Sequence, residues 1–196
     1  DKIERITGVD FLLDICQIAE ETGKSIFLLG TEKEEILEKT SEELQKKFPK
    51  LKIAGYDKGV VVKEKLETGN SELSKPISSF QFPVSNLKIE QVENNKILEK
   101  INQANPDIIF VAFGMGKQEK WIVENLPKIP SVKIAMGVGG SFDYLSGVIP
   151  RAPLFLRQIG LEWLYRLIRQ PQRFWRIFNA TFRFIYFFIK YKNRWK

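Results

Sequence analysis

The chain has 196 residues, long enough to bury a sizeable core and to form one domain with an appendage. It contains no histidine and one cysteine, Cys16, which excludes an imidazole base, the usual zinc sites and a disulfide framework, and points to a reducing compartment. The formal net charge of +7 divides unevenly: residues 151–196 hold eleven of the 31 Lys+Arg and one of the 24 acids, a balance of +10, leaving −3 for residues 1–150.

Asp1-Lys-Ile-Glu-Arg5 reads as the interior of a longer chain, and no secretory leader pattern is visible. Apolar residues at 11, 12, 15, 18 and 19 give helical spacing over Phe11 to Glu21, closed by Gly23. Cys16 lies in that apolar run, where a thiol packs as core. Ser25-Ile-Phe-Leu-Leu-Gly30 is a short apolar strand. Thr31 is expected to cap a charged helix running to about Phe48, stopped by Pro49. Leu51 to Gly55 is a second strand, so the three elements make a βαβ unit.

Residues 57–87 are less regular, with turn signals at Thr68-Gly-Asn, Ser74-Lys-Pro and Phe82-Pro-Val-Ser-Asn, and Val60-Val-Val as a candidate short strand. Glu90 to Asn105 is a polar helix with Ile97, Leu98 and Ile101 inward. Ile108 to Phe113 is apolar throughout, as in a strand buried on both faces of a parallel sheet. Gly114-Met-Gly116 breaks it, and Lys117 to Leu126 reads as a helix ended by Pro127. Val132 to Met136 is a further strand, followed by Gly137-Val-Gly-Gly-Ser-Phe-Asp143. A helix is expected through Leu156 to Ile168, then Pro171 and an aromatic tail. Alternating strands and helices predict an α/β fold, a Rossmann-like parallel sheet flanked by helices with a C-terminal helical appendage. The expected division is a nucleotide-binding domain over 1–150 and a basic aromatic appendage over 151–196.

Two successive strands thus end in glycine turns. Glycines let backbone N–H groups approach a ligand closely, and in open α/β sheets ligands bind outside the carboxyl ends of the strands. Gly30, Gly114, Gly116, Lys117, Gly137, Gly139 and Gly140 are therefore candidate substrate-binding residues in a nucleotide cleft. A plain βα turn explains the same glycines equally well at this level. Neither the dinucleotide fingerprint nor a P-loop is present, which disfavours a Rossmann oxidoreductase. Asp143 suits a ribose or base contact, or a carboxylate stabilised at a helix start.

Glu4-Arg5 followed by Gly8-Val-Asp10, Gly116-Lys-Gln-Glu-Lys-Trp121, Gly137-Val-Gly-Gly-Ser-Phe-Asp143, Arg151-Ala-Pro153 and Gly160-Leu-Glu-Trp-Leu-Tyr-Arg166 occur in this order. The series resembles the WecG/TagA/CpsF family of glycosyltransferases over nearly the whole chain, least across 57–90. The resemblance implies transfer of an N-acetylmannosamine-type sugar from UDP to undecaprenyl-diphosphate-linked N-acetylglucosamine, for teichoic acid, common antigen or capsule synthesis. It implies a peripheral enzyme on the cytoplasmic face of the bacterial cell membrane. It places a catalytic Asp in a Pro-Asp-Gly stretch upstream of Arg5, which this chain does not contain. Arg5 resembles a family arginine near the acceptor or diphosphate, and Gln118 a polar cleft residue; both are assigned to the catalytic set on that basis.

Sugar transfer from UDP requires stabilisation of the departing diphosphate. The chain has no Asp-x-Asp pair to hold a metal, so no metal and no cofactor is expected, UDP-sugar being a substrate. Arginine forks do the same work. Arg166, Arg169, Arg173 and Arg176 share one helical spacing, and the resemblance points to Arg166, Arg173 and Arg176 as diphosphate contacts. A solvated basic face or a lipid-headgroup contact is the alternative for the same spacing, and the resemblance favours donor binding.

Residues 151–196 also carry thirteen of the 24 aromatics. Phe184 to Ile189 is too short to span a bilayer. With Lys190, Lys192, Arg194 and Lys196 beside it, the segment 174–196 suits an interfacial helix on anionic lipid. The expected partners are therefore the UDP-sugar donor, the lipid-linked acceptor and a membrane surface, with no nucleic acid and with homo-oligomerisation left open. The alternative is a non-enzymatic nucleic-acid- or nucleotide-binding module, its bases stacked on tail aromatics.

Overall fold

A computed structural model describes residues 6–31, 33–59, 91–159 and 161–169, with single residues 182 and 186. The chain divides into two compact units, 1–149 and 150–196. In the first, four strands form one parallel sheet in the order β2-β1-β3-β4: β1 (Ser25–Leu29), β2 (Lys52–Asp57), β3 (Ile108–Val111) and β4 (Ile134–Gly137). The helices are α1 (Gly8–Glu21), α2 (Glu34–Lys47), α3 (Gln91–Ala104), α4 (Lys117–Asn125) and α5 (Ser141–Leu145).

Alternation along the strands sorts the core into two layers. Ile26 and Leu28 of β1 and Ile108 and Phe110 of β3 point to one face, against Leu12, Cys16 and Ala19 of α1, Leu37 and Leu44 of α2, and Phe142 of α5. Phe27, Leu29, Ile109 and Val111 point to the other, against Ile97, Leu98 and Ile101 of α3 and Trp121 of α4. Both faces of β1 and β3 are thus covered, which is why these strands read as unbroken apolar runs. The sheet is doubly wound, as expected for the α/β fold.

Several local expectations shift. Helix α1 starts at Gly8 rather than Phe11, because the Thr7 hydroxyl accepts the Asp10 N–H at 3.3 Å and caps the turn. Thr31 does not cap α2. Its backbone sits at φ 100°, and the helix starts three residues later at Glu34, after Lys33. Past Asn125 the chain tightens into a 3₁₀ turn over Leu126–Lys128, which accommodates Pro127. The candidate strand at 60–62 lies outside the described residues.

In the second unit, the single helix expected over 156–168 is two: α6 (Leu154–Gln158) and α7 (Glu162–Arg169). The Ile159 N–H closes α6 on the carbonyl of Phe155 at 3.1 Å, and the Leu161 N–H returns to that of Leu156 at 2.8 Å. No helix among the described residues is long and apolar enough to cross a membrane.

Candidate active site

The four strands end level. Asp57 pairs with Leu29, Leu29 with Val111, and Val111 with Gly137. Each ladder continues one residue into the turn: the Gly30 N–H donates to the Asp57 carbonyl at 2.9 Å, Ala112 to Leu29 at 2.7 Å, and Val138 to Val111 at 2.8 Å. Strand order reverses between β1 and β3. Connections from β1 and β3 run to opposite faces there, and in open α/β sheets such a switch point is where ligands bind.

Gly30 follows β1 at φ 105°, and a Cβ there would lie 2.9 Å from the Ala112 carbonyl carbon. This is a close approach of two backbones at the switch point, and only glycine fits it. Thr31 beside it holds φ 100°, a conformation rare for a β-branched residue. Such strain concentrates at binding sites. No sequence signal marks it, because the residue type argues against the conformation.

After β3, Gly114 and Gly116 take φ 85° and 86° with open space where a Cβ would stand. Met115 between them is 83% exposed, so this turn faces solvent rather than core. After β4, Gly139 also has positive φ, at 52°, whereas Gly140 is an ordinary helix-start residue at φ −84°. Gly137 is required for packing instead: a Cβ there would lie 2.5 Å from Gln118 Nε2.

The side chain of Gln118 is buried and crosses from one turn to the other. Its Oε1 accepts the Gly139 N–H at 3.0 Å, and its Nε2 donates to Glu119 Oε1 at 2.9 Å. Glu119 Oε2 accepts the Gly116 N–H at 2.6 Å. Burial acts to raise the Glu119 carboxyl. Hydrogen bonds from its own backbone N–H, from Gln118 and from Gly116 outweigh that, and hold it below its ordinary value. The start of α4 therefore already carries a carboxylate, and its dipole is answered from within the chain. Gly116-x-x-Glu119 is half of a capping box, a signal readable in the sequence.

Lys117 opens α4, its N–H bonded to the Gly114 carbonyl at 3.2 Å. Asp143 lies in the first turn of α5, its carbonyl accepting from Ile149 N–H at 2.9 Å. Gly137 closes β4 at the carboxyl edge of the sheet, and Gly30, Gly114, Gly116, Lys117, Gln118, Gly139, Gly140 and Asp143 all follow that edge. The backbone of Arg166 is in α7. Arg5, Arg173, Arg176 and the segment 174–196, apart from positions 182 and 186, lie outside the described residues.

Behind this edge, Phe113 meets Trp121 edge to face at 5.8 Å between centroids. Trp121 Nε1 donates to Asn94 Oδ1 at 2.8 Å, and Asn94 Nδ2 to Asn125 Oδ1 at 2.9 Å. These buried bonds join α3 to α4 and fix the helix that carries Gln118 and Glu119.

A doubly wound parallel sheet with glycine turns beside its switch point defines a Rossmann-like α/β protein, a class in which ligands bind outside the carboxyl ends of the strands. Within that class the chain belongs to the glycosyl transferase WecG/TagA/CpsF family, whose profile matches residues 1–196. Three similar relatives carry the name N-acetylglucosaminyldiphosphoundecaprenol N-acetyl-beta-D-mannosaminyltransferase. That of Bacillus subtilis strain 168 is 31% identical over 175 residues, 89% of this chain and 56% of the relative. That of Bacillus spizizenii is 30% identical over 189 residues, 96% of this chain and 61% of the relative. That of Staphylococcus aureus strain MW2 is 27% identical over 192 residues, 98% of this chain and 63% of the relative. The chain thus spans about three-fifths of the length of these curated relatives.

Proposed function

We propose that this protein transfers an N-acetylmannosamine-type sugar from UDP to undecaprenyl-diphosphate-linked N-acetylglucosamine, without a metal ion. The carrying observation is that relatives named for this transfer match 89–98% of the chain. The glycine turns after β1, β3 and β4 bind the nucleotide, with Asp143 at its ribose or base and Lys117 beside the phosphates. Because Glu119 already occupies the start of α4, the charge that answers the departing diphosphate comes from arginines: Arg166, Arg173 and Arg176, with Arg5 near the acceptor or diphosphate and Gln118 a polar residue of the cleft. The protein acts at the cytoplasmic face of the membrane, held by 174–196. The apolar surface of Leu154, Phe155, Ile159 and Ile168, all exposed, supports a lipid-facing second unit.

Sugar transfer from UDP-N-acetylmannosamine to a polyprenyl-diphosphate N-acetylglucosamine, measured at the full length of the relatives in anionic vesicles, tests the proposal. Arg173→Ala and Arg176→Ala are expected to weaken UDP binding while leaving uridine binding nearly unchanged, since charge-assisted contacts contribute about 1.5–3 kcal/mol each. No transfer, with equal losses for UDP and uridine, overturns it. Family and relatives give no support to the nucleic-acid-binding alternative.

A further inference from the structure

We propose that Glu119 is a positioning residue: through Gln118 it locks the turn after β3 to the turn after β4 and so holds the nucleotide crevice open in its binding geometry. The inference deepens the transferase reading and rests on it for the identity of the ligand.

The lock is a directed chain of hydrogen bonds. It runs from Gly139 N–H to Gln118 Oε1, from Gln118 Nε2 to Glu119 Oε1, and from Gly116 N–H to Glu119 Oε2, at 3.0, 2.9 and 2.6 Å. Its polarity is fixed at both ends. A backbone N–H stands at each terminus, so each terminal partner must accept. The Gln118 amide therefore has one orientation only, and a carboxylate at 119 is what selects it. The low-lying ionisation of Glu119 fits this role, because a protonated acid there would present a donor to a donor. Gly137 completes the device. Its φ is unexceptional, and its missing side chain is the channel through which Gln118 reaches Gly139, with a Cβ there only 2.5 Å from Nε2. Both polar ends of the Gln118 amide are thus engaged within the two turns, so the lock sets where the Gly139 N–H stands. The two turns it joins belong to neighbouring strands, Val111 beside Gly137, and any ligand spanning them feels their spacing.

The charge-preserving exchange of the pair makes the test. Glu119→Gln alone sets an amide donor against the Gln118 donor. Relief requires one of the two amides to flip, which then faces the Gly139 N–H or the Gly116 N–H with another donor. The double variant Gln118→Glu with Glu119→Gln restores every bond with reversed inner polarity. Its carboxylate at position 118 accepts from both the Gly139 N–H and the amide at position 119, whose oxygen in turn accepts from Gly116. UDP affinity and the amide exchange rates of Gly116 and Gly139 are measured on the 196-residue chain, with thermal midpoints alongside. Glu119→Gln is expected to lose about tenfold in UDP affinity, the equivalent of one charged hydrogen bond, with faster exchange at Gly139. The double variant is expected to recover both to within about threefold of the parent. Full UDP affinity in Glu119→Gln, or no recovery of Gly139 protection in the double variant, overturns the lock. If the parent chain binds no UDP, the assignment of the nucleotide site to these turns fails, while the exchange rates still decide whether the lock exists.

Discussion

Replacing Asn94 with alanine tests how the helix under the site is held. Asn94 is 8% exposed, and Trp121 and Asn125 are 1% exposed. The substitution removes two hydrogen bonds, one from the indole at 2.8 Å and one to Asn125 at 2.9 Å. The two partners fare differently. Asn125 keeps a bond to the Trp121 carbonyl at 2.9 Å and the Lys128 ammonium at 3.2 Å. The indole N–H loses its partner in a buried setting. An orphaned buried donor costs about 1–3 kcal/mol, and the small cavity adds about 1 kcal/mol, so the expected loss is about 2–4 kcal/mol. Urea unfolding followed by tryptophan fluorescence and circular dichroism measures it, with an unchanged denaturant slope as the sign that only the native state is affected. A double-mutant cycle with Trp121→Phe isolates the pair. The two losses are expected to be less than additive by about 1 kcal/mol, because the second change removes the donor that the first has orphaned. A loss below about 0.5 kcal/mol for Asn94→Ala would refute the claim that this network ties α3 to α4.

Burial pushes the Cys16 thiol up to about 12, so it is expected to resist alkylation at pH 8 until the chain unfolds; labelling by a thiol reagent with and without urea checks this, and rapid native labelling contradicts it. Asp107 at the opposite, amino edge of the sheet accepts the Ser25 N–H at 2.9 Å and the Lys24 ammonium at 3.0 Å, which lower its carboxyl to about 2. A depressed folded value contributes stability above the unfolded value near 3.9 and loses it as pH falls toward 2. Asp107→Asn is therefore expected to flatten the acid limb of the stability curve between about pH 4 and 2, read by denaturant titration at several pH values. Gly30→Ala forces both a left-handed alanine and a 2.9 Å contact on Ala112 backbone, and is expected to cost more than about 2 kcal/mol in unfolding free energy.

The fold was legible because both layers press on β1 and β3: Ile26 to Leu29 and Ile108 to Val111 are apolar at every position, and only a doubly covered parallel strand needs that. The order β2-β1-β3-β4, and with it the switch point, was not, since periodicity says nothing of which strands are neighbours. Two local misreadings have physical causes. Thr31 is a common cap residue, and nothing in its type announces a backbone at φ 100°. The apolar spacing from Leu156 to Ile168 survives a break of a few residues, so one helix and two read alike. At the site, the glycine turns were visible as glycines but not by purpose. Gly114 and Gly116 are conformational, Gly30 and Gly137 make room for other groups, and Gly140 is ordinary. The Gln118–Gly139 bond spans 21 residues and depends on β3 and β4 being adjacent, which local sequence does not encode.

The central claim is a metal-independent UDP site at the carboxyl edge of the sheet, and an amide NMR titration of the 196-residue chain with UDP in a chelating buffer tests it most directly. The account predicts saturable shifts at Gly30, Gly114, Gly116 and Gly139, with Asp107 and Lys24 at the far edge unmoved, and the same curve when magnesium replaces the chelator. Shifts confined to the far edge, no shifts at all, or binding that appears only with magnesium would contradict it.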